Sequence, residues 1–372
     1  MIKGAVAVVV VGDLARSPRM LNHARELARA GRPVWLIGLH QRDFDLPAGV
    51  RILPLRSWRK IGELGLAGAA VRMGLTGFQL LTVLLRRRPA AILVQNPPTF
   101  PTLLAAWIAA RFLRARLVVD WHNYGYSMLA LRLGAHHTVT RLAARHEGWM
   151  ARRAGRHFCV SQAMQADLAR RFAVRADVLY DRPVACLSSA PEGARLVAVC
   201  PAGWTADEDT PLLLDALELS TARGIEIHLT GDGPLRAQLE PRIAALRAAG
   251  WPIHTGYLSE KEYRRLLGRC HFGLSVHRSS SGLDLAMKVV DLFAAGVPVC
   301  ALDYGGSLSE QVRDGETGFL FRTASDLAAL LARLQREPLV LAPMRERIRN
   351  CWGATWSEEW RRVAAPVFEG AS

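Results

Sequence analysis

The sequence holds little cysteine and no cysteine pair. Cys159, Cys186, Cys200, Cys270, Cys300 and Cys351 stand singly along 372 residues, with no CxxC and no metal-ligand spacing. That excludes a disulfide framework and a cysteine-bound zinc site, and it fits the reduced thiols of a cytosolic protein. Long uncharged runs are missing as well. Arg72, Pro101 and Arg111 interrupt the greasy stretches before the roughly 18 residues a spanning helix needs, so no transmembrane segment is expected. The apolar start MIKGAVAVVVVGD flows into a polar turn with no small-residue cleavage site behind it, so a buried first strand is expected rather than a signal peptide. GxxxxGK[ST] is absent and no GxGxxG follows the first strand, which removes P-loop NTPases and dinucleotide-binding enzymes.

Acid is the scarce charge. Against 48 Lys and Arg stand 33 Asp and Glu, a net charge of +15. Nucleic acid, an anionic membrane surface and phosphate-bearing substrates would each suit such a balance. Nucleic acid is the weakest of the three, because the basic residues are dispersed and no zinc finger or RNA-binding aromatic motif occurs. Half the residues are hydrophobic, as in a folded chain, and the length exceeds one ordinary core.

Short β-branched runs alternate with helical stretches. Ala5 to Val11, Val34 to Leu39, Ala91 to Gln95, Leu117 to Trp121 and Phe158 to Val160 read as strands, each followed by a helix-like segment. DRPVACLSSAPEGA then reads as a linker, after which strands restart at Leu196 to Cys200, Glu226 to Thr230, Phe272 to Val276 and Val297 to Leu302. The expected organisation is a first α/β domain over 1–183, a second over 184–350, and a tail over 351–372 that forms a helix from Trp352 to Phe368 and packs back on the body. Both domains are expected to be doubly wound parallel sheets, with ligands outside the carboxyl ends of their strands and a cleft between the domains.

The loops after the strands carry the chemistry. In GDLARSPRM, Ser17 is a candidate N-cap and Pro18 a first-turn proline; Arg16 and Arg19 flank that helix start as an anion site, or as ordinary surface arginines. In DWHNYGYS, Asp120, His122 and Asn123 cluster where a general base could sit, the alternative being a structural histidine. In TGDGP, Gly231 and Gly233 would let a ligand approach the backbone, as would any tight turn. HRSSSGLDLAMKVVDLFAAGVPV brings Ser279, Ser280, Ser281 and Gly282 to a helix start. A helix from Asp284 would align Asp284, Lys288 and Asp291 on one face, as a nucleotide-binding stripe or an interdomain salt-bridge stripe. Asp43 with Asp45 and Asp207 with Asp209 read as surface acids rather than metal ligands.

These motifs together resemble a GT-B glycosyltransferase. GDLARSPRM, DWHNYGYSML, VLYDRP, WTADEDTPLLLDALE, TGDGPL and SSSGLDLAMKVVDLFAAGVPVCAL resemble, more closely, the chitobiosyldiphosphodolichol β-1,4-mannosyltransferases. The resemblance implies two Rossmann-like domains and transfer of mannose, with inversion, from GDP-mannose to a lipid-diphosphate-linked saccharide at the cytoplasmic membrane face. It implies no cofactor and no metal requirement. Gly231, Gly233, Ser280, Ser281, Gly282, Lys288 and Asp291 would line the donor site, with Asp284 beside them. His122, oriented or replaced by Asp120, would be the base, and Arg16 and Arg19 would hold the acceptor diphosphate. WRKIGELGLAGAAVRMGLTGFQLLTVLLRRR, bracketed by Arg59, Lys60 and Arg86 to Arg88, would be a peripheral membrane segment or an ordinary core helix. A UDP-linked donor serving bacterial exopolysaccharide or glycolipid assembly is the competing transferase reading. A nucleotide-sugar epimerase would share the architecture without needing a lipid acceptor.

Overall fold

The computed structural model describes residues 4–42, 44–62, 65–187, 191, 195–205, 207–351 and 354–369. The chain divides into two compact units, one of residues 1–180 and 356–372, the other of 181–355. Asp43, Trp352 and six residues of the expected linker lie outside the described residues.

In chain order the first unit contains β1 (Val6–Asp13), α1 (Pro18–Arg29), β2 (Val34–Leu39), β3 (Val50–Pro54), α2 (Arg59–Gly62), α3 (Gly65–Arg87), β4 (Ala91–Asn96), α4 (Thr102–Leu113), β5 (Arg116–Trp121), α5 (Gly125–Leu133), α6 (Thr138–Ala151), β6 (Arg156–Cys159), α7 (Gln162–Phe172) and β7 (Asp177–Val178). The second contains β8 (Val197–Pro201), α8 (Thr210–Leu219), β9 (Glu226–Thr230), α9 (Arg236–Ala248), β10 (Ile253–Gly256), α10 (Glu260–Arg269), β11 (Phe272–Ser275), α11 (Met287–Ala294), β12 (Val299–Leu302), α12 (Leu308–Gln311), β13 (Gly318–Phe321), α13 (Ala324–Arg336) and α14 (Leu341–Cys351). The chain then returns to the first unit with α15 (Trp356–Val363) and α16 (Ala365–Glu369).

Both sheets are parallel. Their orders are β3-β2-β1-β4-β5-β6-β7 and β10-β9-β8-β11-β12-β13, each reversing beside its first strand. At such a reversal the loops leaving two neighbouring strands diverge and open a crevice at the carboxyl ends. The strands are runs of Val, Ile, Leu and Ala because helices cover both faces: Ala7, Val8 and Val9 of β1 and Ile92, Leu93 and Val94 of β4 are all fully buried.

The tail is two helices rather than the one expected. Trp356, Trp360 and Phe368 join Met20, Leu27 and Phe158 in the core of the first unit. Trp360 and Phe368 stack with centroids 6.2 Å apart, and Ser357 Oγ donates to Glu26 at 2.6 Å.

The structure corrects the expectation about membrane-length helices. Among the described residues one helix segment, Ala67–Arg87, is long and apolar enough to cross a membrane, since Arg72 sits near its start, and only 17% of its apolar window is buried. It does not cross one in this fold. β2 before it and β4 after it both pair with β1, so both ends of α3 must lie on the same side of any bilayer.

Trp356→Ala should remove a fully buried anchor and destabilise the first unit by about 3–5 kcal/mol, the usual cost of emptying a large aromatic site. Urea unfolding followed by near-ultraviolet circular dichroism would show it, and a loss below about 1 kcal/mol would mean that the tail is not part of that core.

Candidate active site

In the first unit the sequence-predicted residues meet at the carboxyl ends of β1 and β5. Ser17 begins α1 ahead of Pro18, but its side chain does not cap the helix; its hydroxyl donates instead to Asp13 O at 3.3 Å. Arg16 is exposed, whereas Arg19, one turn into α1, points inward and is buried. Its guanidinium forks onto Asp120, with Nε and Nη2 each 2.8 Å from a carboxylate oxygen, and Nη1 donates to Leu179 O at 2.9 Å. The expected contact between Arg19 and an acceptor diphosphate is thereby corrected, because the fork is committed to Asp120.

Asp120 has no exposed surface. Burial alone would raise its carboxyl, but Arg19, then His122 and His23, hold it well below the usual carboxylate range. It is a fixed anion, and it decides how its neighbours carry their protons. His122 Nε2 lies 2.9 Å from Asp120 Oδ2, so the neutral ring keeps its hydrogen on Nε2 and leaves Nδ1 as the basic atom. On the far side, Trp360 Nε1 donates to His23 Nδ1 at 3.0 Å, which puts the hydrogen of His23 on Nε2, 3.3 Å from Asp120 Oδ2 but off-axis for a strong hydrogen bond. Burial lowers the His23 pKa, so that ring is neutral.

Glu147, which the sequence reading passed over, locks the following loop. Its buried carboxylate accepts Asn96 Nδ2 at 2.6 Å and the amides of Gly125 and Tyr126 at 3.0 and 3.1 Å, closing the start of α5 from α6. Burial raises its carboxyl. Tyr124 is fixed by its hydroxyl donating to Asp167 at 3.0 Å. Nothing in the local sequence distinguishes Glu147 from a surface glutamate of an amphipathic helix.

In the second unit the glycines serve the fold more directly than expected. A Cβ on Gly231 would sit 2.0 Å from Ala202 O, and one on Gly233 would sit 2.1 Å from Gly203 O. The room these glycines leave is filled by the chain's own loop after β8, so the tight turn alone requires them. That loop is organised by Glu208, a second residue the sequence reading missed. Its carboxylate accepts the amides of Gly203 and Trp204, the latter at 3.1 Å, and pairs with Lys288 Nζ. Burial lowers the pKa of Lys288.

The helix of the quoted motif starts at Met287, three residues later than expected, so Asp284 is not on its face. Asp284 instead ties the loop together. Its carboxylate accepts Ser279 Oγ and sits 2.9 Å from His277 Nε2, while its carbonyl accepts Tyr304 and Ser307 hydroxyls at 3.0 and 2.8 Å. Gly282 adopts φ +72° and donates to Ser279 Oγ at 2.7 Å; Ser281 Oγ accepts from Leu283 N at 3.2 Å. Ser280 lies in the same half-buried loop. α11 itself has no side-chain cap; Asp291 on it is exposed, whereas Lys288, three residues earlier, is half-buried with its Nζ turned in to Glu208. The protein packed around its carboxyl raises the pKa of Asp291 to about 6, although part of the residue reaches water.

Asp209 caps α8 and pairs with Arg278 at 2.6 Å, and Asp207 is exposed. Among the described residues one group, Glu226, His228 and His254, is close enough to share a metal ion; it lies toward the amino ends of β9 and β10, away from these loops, with Arg269 4.0 Å from Glu226.

Residues 17–180 match the glycosyl transferase 4-like domain and residues 194–337 match the glycosyl transferases group 1. A mouse protein named chitobiosyldiphosphodolichol beta-mannosyltransferase is 32% identical over 98% of this chain and 89% of its own length. The Arabidopsis thaliana protein named UDP-glycosyltransferase TURAN is 31% identical over 98% and 97%. Among solved structures, HepE of Anabaena in complex with UDP and glucose superposes with a TM-score of 0.74 at 16% identity, covering 99% of each chain. WaaG, a glycosyltransferase involved in lipopolysaccharide biosynthesis, gives 0.74 at 12% identity over 98% and 100%. These structural likenesses establish the GT-B fold.

Two outcomes follow from the geometry. Asp120→Ala would strand a buried guanidinium and cost about 3–5 kcal/mol in denaturant unfolding, whereas His122→Ala, on a partly exposed ring, should stay within about 1 kcal/mol of the parent. His277 is pulled down by burial but raised above its ordinary 6.5 by Asp284. Its contribution to stability is therefore complete below pH 6.5 and drains away as pH rises through the higher folded value. The urea midpoint of the parent should fall across that window, and an Asp284→Asn chain that keeps the same slope there would remove the pair as its cause.

Proposed function

The chain belongs to the family of the chitobiosyldiphosphodolichol β-mannosyltransferases and is a glycosyltransferase, and from that premise we propose that it moves mannose, with inversion, from GDP-mannose to a lipid-diphosphate-linked saccharide at the cytoplasmic membrane face. The observation that carries the reading is the buried Asp120 anion beside His122, which leaves Nδ1 of that ring as the base. In the transfer, the acceptor oxygen bonds to the anomeric carbon and its proton passes to His122 Nδ1. The bond from that carbon to the diphosphate oxygen breaks, and GDP leaves with the electron pair. Developing charge on the diphosphate is met by the uncapped start of α11, which Lys288, paired with Glu208, ties to the loop after β8. Gly282 and the serines of that loop face the donor, and Asp291 accepts hydroxyls of its ribose. Arg16, exposed at the start of α1, holds the acceptor diphosphate. Arg19 acts through Asp120.

A divalent metal has no assigned role here. The lipid acceptor accounts for the surplus of basic residues; Val71 and Phe78 are also exposed on α3, an acid-free helix that ends in Arg86 and Arg87. A UDP-linked donor is the second reading, supported by the name of the Arabidopsis relative and by the UDP in HepE.

Purified protein offered GDP-mannose, UDP-sugars and dTDP-sugars with a synthetic lipid-diphosphate chitobiose should transfer mannose from GDP-mannose, with or without EDTA. His122→Ala should lower kcat by about 100-fold or more while changing the donor KM little. Transfer from a UDP-sugar alone would replace the donor assignment. Near-parental turnover by His122→Ala would take His122 out of the reaction.

A further inference from the structure

The helical hairpin formed by α5 and α6 is unusual for a soluble surface. Every residue from 131 to 139 is exposed, so the hairpin tip stands clear of its unit. Yet the tip and its flanks are apolar. Leu131 is 62% and Leu142 55% exposed, with Met128, Leu133 and Val139 close to half exposed. The segment is also strictly one-signed: from Asn123 to His146 there is no Asp or Glu, while Arg132, Arg141 and Arg145 are exposed among the apolar side chains.

The hairpin is built rather than loose. Thr140 is buried and its hydroxyl donates to Gly134 O at 3.0 Å across the turn, and His137 N donates to the same carbonyl at 3.3 Å. At its root, Glu147 accepts the first amides of α5, which begins three residues after His122. Apolar side chains interleaved with arginines, with no acid among them, suit a bilayer interface with anionic headgroups, where Leu and Val enter the acyl boundary and Arg stays with phosphate.

We propose that the α5–α6 hairpin is the element that docks this protein on an anionic membrane, with Leu131 and Leu142 entering the lipid and Arg132 and Arg141 holding headgroup phosphates. The proposal rests on the lipid-linked acceptor proposed above and gives the hairpin a reason to stand beside His122. The diphosphate of a membrane-borne acceptor lies at headgroup depth, and the rigid root of the hairpin sets His122 at a fixed height above that plane.

The test is flotation of the full-length protein with vesicles of phosphatidylcholine, with and without phosphatidylglycerol, alongside turnover on two acceptors: a long-chain lipid diphosphate in vesicles and a water-soluble short-chain one. The parent should float only with the anionic vesicles. Leu131→Glu/Leu142→Glu should reduce that binding about tenfold or more, and Arg132→Glu/Arg141→Glu should remove its salt-sensitive part. Both variants replace exposed side chains and should keep parental turnover on the soluble acceptor while losing it on vesicles. Binding unchanged in both variants overturns the proposal, as does a loss caused only by Phe78→Glu on α3, or a change of oligomeric state in the leucine variant without any change in flotation. If the parent floats as expected but turns over neither acceptor, the docking assignment stands and the acceptor reading fails.

Discussion

A carboxylate without access to water keeps its charge only when its surroundings replace the lost hydration, and in this protein that requirement falls on Asp120. Arg19 supplies two hydrogen bonds from α1, His122 a third from the loop after β5, and His23 a nearby ring from one turn further along α1. Arg19 also reaches the carbonyl of Leu179 beyond β7 and lies 5.4 Å from the ring centroid of Trp356 in the returning tail. Stretches of chain far apart in sequence are thus set against one buried charge. The orientation of His122 is a by-product of that arrangement: the anion fixes which ring nitrogen holds the hydrogen, whatever the residue is used for.

The second unit solves a related problem in the same currency. Its loops after β8 and β11 gather amides and hydroxyls onto carboxylates. Glu208 gathers two amides and Asp284 gathers a hydroxyl and an imidazole. Each of these carboxylates has a basic partner inside the protein, Lys288 for Glu208 and His277 for Asp284. The surface left over is governed by dipoles and by the remaining positive charge.

Most strands were legible because a doubly covered parallel sheet demands continuous apolar runs, and Val34–Leu39 and Glu226–Thr230 match their expected limits. Strands that escaped notice are of another kind. Val50–Pro54 is an edge strand with no fully buried residue, and Gly318–Phe321 opens with a glycine, so neither presents the expected pattern. DWHNYGYS and SSSGLDLAMKVVDLF lie at and beyond the carboxyl ends of β5 and β11, where the sequence pattern places them. What they could not convey was partnership. Whether Arg19 faces water or Asp120 depends on a residue 101 positions away, and the space beside Gly231 and Gly233 belongs to a loop some thirty residues earlier. Helix periodicity likewise placed Asp284 on a face, because the pattern does not register that Ser279 and His277 hold its carboxylate in a preceding loop.

The return of the tail has a consequence for how the protein is made. Synthesis proceeds from the amino end, and domains ordinarily fold in the order in which they emerge. Here the first unit lacks Trp356, Trp360 and Phe368 until α15 and α16 leave the ribosome, while every described strand of the second unit precedes them in the chain. The unit that is translated first is therefore the last to be completed. Until then the face of α1 that receives those aromatic rings stays open, so the nascent chain carries an apolar surface whose natural cover, α15 and α16, is translated after the whole second unit.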